Sequence, residues 1–472
     1  MSMWMGRPAV TFACTSCGHQ APKWMGRCPG CGEWNSLQEE VLEAPPARSG
    51  AGARRGIARE PVPLADVEAV AVERLRTGSA ELDRVLGGGL VPGSIALIGG
   101  SPGIGKSTLM SAALGSVQAQ GRTTLYVSGE ESAAQIRLRA ERLGPEALSV
   151  PVLAETSLET VLATIEAVRP DVCVVDSVQT LHSEALSGAA GSVGQVREVA
   201  ARLERLAREL GTAVILVGHV TKDGTLAGPR VLEHAVDCVL QFEGESQRTY
   251  RTVRALKNRF GSTNEIGVFE MRSGGLIEVA DPSERFVREA TAVPGSCLVC
   301  SMEGSRPLLV EVQALVAQSD IVPPRRIANG VDRNRLSLVL AVLARNGGPA
   351  LGSSDVFVSI AGGLRIEEPG ADLGIVLAVA SAASGVPVSS AHLPTGCFGE
   401  VGLTGELRYV AHPERRLDEA ARFGLERVLA PSRCLSSLLE DGRSQAAAVP
   451  VSTVREALAA ALDEPVGVRR AA

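Results

Sequence analysis

The chain has 472 residues, of which 45% are hydrophobic and 21% charged, and its formal net charge at pH 7 is -6. This length predicts two or three folded units, and the composition is typical of globular proteins. The negative charge excludes a global basic field, so any contact with nucleic acid has to be local. The opening residues lack a secretory signal, and no segment reaches the ~18 uncharged apolar residues of a membrane span. We therefore expect a cytoplasmic protein without a membrane partner.

Four cysteines near the start of the chain form the first motif. Their spacing is C-x2-C-x10-C-x2-C, and a glycine follows each pair; they are Cys14, Cys17, Cys28 and Cys31. Four thiolates with this spacing are typical of a closed tetrahedral zinc site, and a cytosolic setting disfavours disulfides. Residues 1–40 are therefore predicted to be a four-cysteine zinc finger.

Two tryptophans, Trp24 and Trp34, lie beside the cysteines. They could stack on bases, contact a protein, or cover the small core of the finger, and the third role is the commonest. Residues 41–72 follow, rich in Pro, Ala, Gly and Arg and with little apolar periodicity, which predicts a flexible linker.

From about residue 73 to 284, apolar strand-like runs alternate with helical patterns, which predicts a mostly parallel sheet covered by helices. The strongest motif, GSPGIGKST, lies between the first of these strands and a helix. Backbone N–H groups of such a loop hold phosphates, its lysine reaches the β and γ phosphates, and its serine binds magnesium. The predicted ATP-binding residues are Gly100, Ser101, Pro102, Gly103, Ile104, Gly105, Lys106, Ser107 and Thr108.

Acidic residues follow two later strands of the same sheet. DVCVVDS ends in Asp176, which could hold Mg²⁺ together with Ser107. LYVSGEES places Glu130 and Glu131 after another strand, where one of them could orient or deprotonate the attacking water. We favour Glu130, while a pair of acids that merely favours a helix dipole stays an alternative.

A fourth strand ends near His219, either as a γ-phosphate sensor or as a satisfied histidine at a strand end. Two long Gly-rich loops lie on either side of this strand, and loops of that length tend to be functional. The basic residues in and beside these loops that could contact a DNA backbone are Arg197, Lys222 and Arg230.

The pentapeptide KNRFG, at 257–261, follows a late strand. Residues two apart point to the same face of a strand, so Lys257 and Arg259 should project together. An arbitrary pair of this kind is a solvated surface feature. This pair, on a late strand after the ATPase core, resembles the K-x-R pair of RecA-like ring helicases, and the resemblance implies a catalytic role for Lys257 and Arg259 across a subunit interface.

The order of the cysteine motif, GSPGIGKST, YVSGEES, VVDSVQT, KNRFG and MEGSRPLLVEVQALV is similar to that of the bacterial RadA (Sms) family of DNA-repair proteins over nearly the whole chain. The resemblance implies a zinc ribbon, a RecA-like P-loop ATPase with a central, mostly parallel sheet, and a C-terminal Lon-protease-like α/β (α+β) domain at 285–472. It also implies a DNA-stimulated, ATP-driven, hexameric ring motor that binds single-stranded and branched DNA and promotes branch migration beside the RecA recombinase.

The Lon-like part departs from peptidases at both positions of the catalytic dyad. Asp372 stands where the serine is expected and Glu414 where the lysine is expected, so nucleophile and base are both absent. We expect a scaffold for ring assembly or for DNA contacts through basic residues, namely Arg325, Arg326, Arg333 and Arg335. An ATP-dependent protease and a nucleotide-switched binding module resembling the two-glutamate clock ATPases are the alternative functions.

Overall fold

A computed structural model of the chain describes residues 9–14, 20–30, 32–34, 36–42, 63, 73–186, 188–220, 226–227, 231–244, 250–388, 394–440 and 448–462. The chain divides into two compact units. The first unit comprises residues 1–243, 253–263 and 272–277, and the second comprises 244–252, 264–271 and 278–472. No helix in the described ranges combines the length and the apolar character that crossing a bilayer requires.

The N-terminal part is a small antiparallel sheet. Its strands lie in the order β2-β1-β3 and are β1 (Ala9–Cys14), β2 (Gln20–Ala21) and β3 (Leu37–Leu42). The buried core beneath them is small and consists of Cys14, Ala21, Cys28 and Leu37. Among the described residues this core has few apolar side chains, and folds of this size commonly need a further constraint such as a metal.

A parallel sheet organises the next part of the first unit. Its strands are β4 (Ile95–Gly100), β5 (Thr124–Ser128), β6 (Val152–Ala154), β7 (Val172–Asp176), β8 (Ala213–Val220), β9 (Leu226–Ala227) and β10 (Cys238–Glu243). The parallel strands lie in the order β10-β4-β8-β7-β5-β6, and β9 pairs antiparallel with β8. Every residue of β4, β5 and β7 is buried, which explains their continuous apolar sequences.

Helices connect these strands. They are α1 (Ala80–Leu86), α2 (Lys106–Ala119), α3 (Ala133–Leu143), α4 (Pro145–Leu148), α5 (Leu158–Val168), α6 (Val193–Leu210) and α7 (Val231–Ala235). Serine hydroxyls cap several of them by accepting a backbone N–H: Ser79, Ser132, Ser157 and Ser192. The helix that follows the phosphate-loop motif, α2, has no such side-chain cap.

Three strands have residues in both units: β11 (Tyr250–Asn258), β12 (Ile266–Arg272) and β13 (Gly275–Glu278). The second unit then forms a mixed sheet in the order β16-β17-β15-β14-β18-β21-β22. These strands are β14 (Ser296–Glu303), β15 (Arg306–Gln318), β16 (Arg326–Asn329), β17 (Ser354–Ile360), β18 (Thr395–Cys397), β21 (Arg427–Pro431) and β22 (Ala448–Val451). A separate pair comprises β19 (Glu400–Val401) and β20 (Leu407–Arg408).

The helices of the second unit are α8 (Pro282–Glu289), α9 (Arg333–Arg345), α10 (Asp372–Ser384), α11 (Pro413–Arg422), α12 (Ser432–Glu440) and α13 (Val454–Leu462). Its main apolar cluster includes residues of α9, α10 and α13 together with β14, β15 and β17. Nearly the whole of α10 is buried, which explains its Ala- and Val-rich sequence. The expected order of a zinc ribbon, a P-loop ATPase sheet and a further α/β sheet domain is confirmed.

Candidate nucleotide-binding site

The phosphate-loop motif forms a tight turn between β4 and α2. Gly103 and Gly105 have φ angles of 74° and 115°, in the left-handed region that favours glycine. A Cβ on Gly100 would lie 2.7 Å from the Phe242 carbonyl oxygen, so this position also needs glycine. Because α2 begins without a side-chain cap, its first N–H groups are available to an anion.

Lys106, the first residue of α2, is buried beside the loop. Its Nζ donates to the carbonyl oxygens of Gly100 and Ser101 at 2.7 and 3.1 Å. Burial lowers the pKa of this ammonium, while the carboxylates of Asp176 and Glu130 act in the opposite direction. Lys106 is therefore electrostatically coupled to both of the acids that the sequence singled out.

Strand register brings the predicted residues to one edge of the sheet. Asp176 of β7 pairs with Ser128 of β5, two residues before Glu130, and Gly100 of β4 pairs with His219 of β8. β8 lies between β4 and β7, so all four parallel strands end at this edge. The backbone of His219 thus lies beside the phosphate loop, whereas its side chain lies outside the described residues.

The two adjacent glutamates have different surroundings. Glu131 forms an ion pair with Arg139 of α3. Glu130 is exposed, and its carboxylate accepts a hydrogen bond from the Ser177 hydroxyl, next to Asp176. Of the two, only Glu130 contributes to the electrostatics of Lys106. This difference favours Glu130 over Glu131 as the group that acts on water.

A hydrogen-bonded chain that sequence reasoning missed lies behind Asp176. The buried Tyr126 hydroxyl donates to Asp176 Oδ2 at 2.5 Å and accepts from Arg139 Nη2 at 3.2 Å. Burial and the neighbouring Asp176 both raise the pKa of this hydroxyl, so it stays a donor at neutral pH. A signal was present, since a tyrosine within a buried strand needs a polar partner for its hydroxyl.

Lys257 and Arg259 are both engaged within their own chain. Lys257 Nζ donates to the carbonyl oxygens of Glu233 and Val236 at 2.8 and 2.7 Å, at the end of α7. Arg259 Nη1 donates to the buried Asp237 carboxylate at 3.0 Å, although half of the arginine side chain is exposed. KNRFG is therefore anchored next to the start of β10.

This anchor lies at the edge of the sheet opposite the phosphate loop. The second carboxylate oxygen of Asp237 accepts from the N–H of Ile95, the first residue of β4, at 3.1 Å. Gly100 ends the same strand, five residues on, which corresponds to about 16 Å at ~3.3 Å per residue. Arg259 therefore does not contact the phosphate loop of its own chain.

Half of the cysteine motif lies in the described residues. Cys14 and Cys28 are buried in the ribbon core, while Cys17 and Cys31 lie outside the described residues. The Gly30 N–H donates to Cys28 Sγ at 3.3 Å, and Cys14 Sγ lies 3.2 Å from the Ser36 hydroxyl. A backbone donor aimed at sulfur suits a thiolate, so the two described cysteines fit a zinc site.

The candidate DNA contacts differ in their environments. Arg197 is exposed on α6, while Lys222 and Arg230 lie outside the described residues. Arg325 pairs with Asp355 through Nε and Nη2 at 2.7 and 2.5 Å. Arg326 donates to backbone carbonyls, among them that of Leu351 at 2.6 Å. These last two arginines therefore have structural roles whether or not they also contact DNA.

The two residues predicted to stand at the positions of a peptidase dyad are both acidic. Asp372 begins α10, is ion-paired with Arg335 through Nε at 2.8 Å, and accepts the Val401 N–H at 3.1 Å. Burial raises the pKa of Asp372 despite this arginine. Glu414 lies in the first turn of α11, 3.7 Å from the imidazole of His412. Neither position supplies the hydroxyl and amine that the dyad mechanism uses.

The fold and the site define a RecA-like P-loop ATPase that carries an N-terminal zinc ribbon. A family model described as "AAA domain" matches residues 59–225, and one described as "Rubredoxin metal binding domain" matches residues 12–39. Proteins similar to this chain over nearly its whole length carry the curated name "DNA repair protein RadA".

Three of these relatives come from different bacteria. The Bacillus subtilis (strain 168) protein is 46% identical over 462 residues, covering 97% of this chain and 100% of that protein. The Streptococcus pyogenes serotype M1 protein is 48% identical, covering 92% of this chain and 95% of that protein. The Listeria monocytogenes serovar 1/2a protein is 48% identical, covering 89% and 91% respectively. The chain belongs to the RadA family of DNA repair proteins.

Proposed function

We propose that this chain is a DNA-dependent ATPase of homologous recombination that assembles as a hexameric ring and moves along DNA. In this proposal it binds single-stranded and branched DNA in the cytoplasm and promotes branch migration of the strand-exchange products made by RecA. Membership of the RadA family supports the repair role, and the P-loop supports ATP hydrolysis. The observation that most supports assembly as a ring is that Arg259 lies far from the phosphate loop of its own chain.

The residues around the loop have distinct roles in this proposal. The loop amides of 100–108 and Lys106 hold the phosphates, and Glu130 orients or deprotonates the attacking water. Ser107 and Asp176 would hold Mg²⁺, which when bound neutralises charge on the phosphates. Coupling of Lys106 to both acids supports this grouping.

Arg259 and Lys257 would serve the nucleotide of a neighbouring subunit. A cation that reaches the γ-phosphate from a neighbour accelerates hydrolysis by about 10³ to 10⁵ in other P-loop enzymes. The exposure of half of the Arg259 side chain supports this role, since a partner can reach it. In this arrangement hydrolysis requires two adjacent subunits.

DNA would contact basic side chains through its phosphates, independently of sequence. The candidates are Arg197, Lys222, Arg230, Arg325 and Arg326, and the exposure of Arg197 supports its inclusion. The C-terminal unit would act in ring assembly or in these contacts. The zinc ribbon would hold one Zn²⁺ on Cys14, Cys17, Cys28 and Cys31 as a structural site.

The test compares ATP hydrolysis by the wild type and Lys106→Ala without DNA, with single-stranded DNA and with branched DNA. We expect DNA to stimulate the wild type and to leave the variant inactive. Arg259→Ala should retain nucleotide binding but lose stimulated turnover. Mixing Arg259→Ala with Lys106→Ala should restore part of the activity, because some interfaces then combine an intact loop with an intact arginine. A mixture as inactive as its components would contradict action between subunits.

Two other functions predict different results. An ATP-dependent protease would degrade casein, and the acids at both dyad positions argue against it. A nucleotide-switched binding module would hydrolyse ATP without strong stimulation by DNA. The same assay therefore separates the motor from the switch.

A further inference from the structure

Two tryptophans lie side by side on the surface of the zinc ribbon. The side chain of Trp24 is 54% exposed and that of Trp34 is 70% exposed, in a chain that has only three tryptophans. Both rings flank Gly26, with an atom of each 3.8 Å from the position of a Cβ there. Neither is among the described residues that form the buried core of the ribbon, and their exposure favours a role in binding over covering that core.

Exposed indole rings of this size are costly in water unless a partner covers them, and a patch of them marks an interaction site. A Cβ at Gly26 would contact both rings at ordinary van der Waals distance, so Gly26 lies between the two indoles. The isolated β-bridge between Arg27 and Trp34 fixes the backbone behind the patch. The two rings are thus presented on an ordered segment.

The charges around the rings indicate the chemistry of the partner. Lys23 and Arg27 are exposed beside the two tryptophans, against one exposed acid in the same segment, Glu33. The Arg27 guanidinium lies 5.9 Å from the Trp34 ring centroid, and its Nε donates to the Gly32 carbonyl at 2.8 Å. This local excess of positive charge contrasts with the net charge of -6 of the whole chain.

We propose that Trp24 and Trp34 form a stacking platform for single-stranded nucleic acid, with Lys23 and Arg27 directed to its phosphates. Flat aromatic faces accept any base, and adjacent cations follow the backbone, which is how proteins bind single strands without sequence preference. A purely apolar protein partner would leave both cations without a role. The proposal deepens the proposed function, on which it rests for the class of ligand, by assigning a strand-binding surface to the ribbon.

Tryptophan emission reports on this platform directly. The full-length chain with Trp4→Phe retains indole emission only from Trp24 and Trp34. We expect an oligothymidylate of about 20 nucleotides, added at low salt without ATP, to quench that emission in a saturable manner. Since this readout needs no substitution in the platform, it does not depend on how a variant folds.

Binding of the same oligonucleotide, labelled and followed by anisotropy, tests each ring. Trp24→Ala and Trp34→Ala should each weaken binding about ten- to a hundredfold, whereas Trp34→Phe should retain most of the affinity. Leu403→Ala, in the second unit, is the matched control because Leu403 is an apolar residue that is 71% exposed. Zinc content of each variant checks that the ribbon is intact.

The outcomes distinguish this proposal from the proposed function. If the emission is not quenched and the alanine variants bind as well as the control, the proposed platform is refuted, even if DNA still stimulates hydrolysis. A protein partner would then be the better candidate for this surface. Quenching together with weakened alanine variants would support the platform, even if hydrolysis proves independent of DNA. In that second case the proposed motor function is contradicted, whereas the proposed binding surface is supported.

Discussion

Tyr126→Phe tests whether the chain of hydrogen bonds behind Asp176 matters for hydrolysis. The substitution removes one oxygen and keeps the ring. It deletes the 2.5 Å hydrogen bond to Asp176 and leaves Arg139 Nη2 without its acceptor at 3.2 Å. Because Arg139 is almost fully buried, we expect its guanidinium to turn towards the carboxylate of Asp176 and pair with it. Asp176 would then be less able to hold a metal ion.

The size of the effect follows from the bond that is lost. A hydrogen bond to a charged group is worth about 1.5–3 kcal/mol, which corresponds to roughly ten- to a hundredfold in an equilibrium or a rate. We expect the Mg²⁺ concentration for half-maximal hydrolysis to rise and the turnover rate to fall within this range. Nucleotide affinity without metal should change little, because Tyr126 lies behind the acid and not in the loop.

The assays are Mg²⁺ titrations of ATP hydrolysis and, independently of activity, Mn²⁺ binding to the nucleotide complex followed by electron paramagnetic resonance. The control is the double variant Tyr126→Phe, Arg139→Gln, which removes the cation that would capture Asp176 and should recover part of the metal affinity. A single variant with the metal requirement and turnover of the wild type would refute the reasoning. A double variant that recovers no metal affinity would refute the proposed pairing of Arg139 with Asp176.

Three further predictions concern charged pairs. Asp237→Asn should release Arg259 and raise DNA-independent ATP turnover, and the rise should vanish when Arg259→Ala is added. Arg416→Met removes one partner of a pair with Glu368 in which the arginine is 1% exposed, so urea titration should find a loss of about 3 kcal/mol in the free energy of unfolding. The Arg325 guanidinium holds the pKa of Asp355 at about 2, below its ordinary 3.8. The pair therefore stabilises the fold above about pH 4, and this stabilisation is lost as the pH falls towards 2. Asp355→Asn should therefore lower the melting temperature at pH 7, with a difference that shrinks between about pH 4 and pH 2; a difference independent of pH would contradict this sign.

The phosphate loop was predictable because its information is local. A buried apolar strand, a Gly-rich turn and a helix follow one another in a single stretch, and the left-handed angles of Gly103 and Gly105 account for the glycines. The carboxyl end of a parallel strand as the place for Asp176 also follows from strand alternation and topology rules. These features need no knowledge of which strands are neighbours.

The environment of the acids was not predictable, because it depends on tertiary contacts. Glu130 and Glu131 are adjacent in sequence, and Arg139 on the next helix is what separates their roles. The hydrogen bond between Tyr126 and Asp176 joins residues fifty positions apart, and it exists because β5 and β7 are neighbours in the sheet. Sequence periodicity contains no signal for that pairing.

The sequence also could not predict at which edge of the sheet KNRFG lies. A strand end followed by Phe-Gly predicts a turn, but not whether the turn lies near the phosphate loop or opposite it. The contacts of Asp237 place this turn at the edge opposite the phosphate loop, because Asp237 precedes β10 and pairs through its backbone with the start of β4. The argument for action between subunits therefore depends on geometry that only the fold provides.

The same geometry suggests how the proposed ring would couple its sites. Asp237 holds Arg259 with one carboxylate oxygen and the first N–H of β4 with the other, and the far end of β4 is Gly100. All six residues of β4 are buried between parallel neighbours, and a close-packed strand shifts as a unit more readily than it deforms. Withdrawal of Arg259 towards a neighbour's nucleotide would thus act on the start of a strand that ends in the chain's own phosphate loop. We therefore expect cooperative ATP hydrolysis whose Hill coefficient falls towards one in Asp237→Asn, because that variant releases Arg259 from the start of β4 without changing the arginine or the loop themselves.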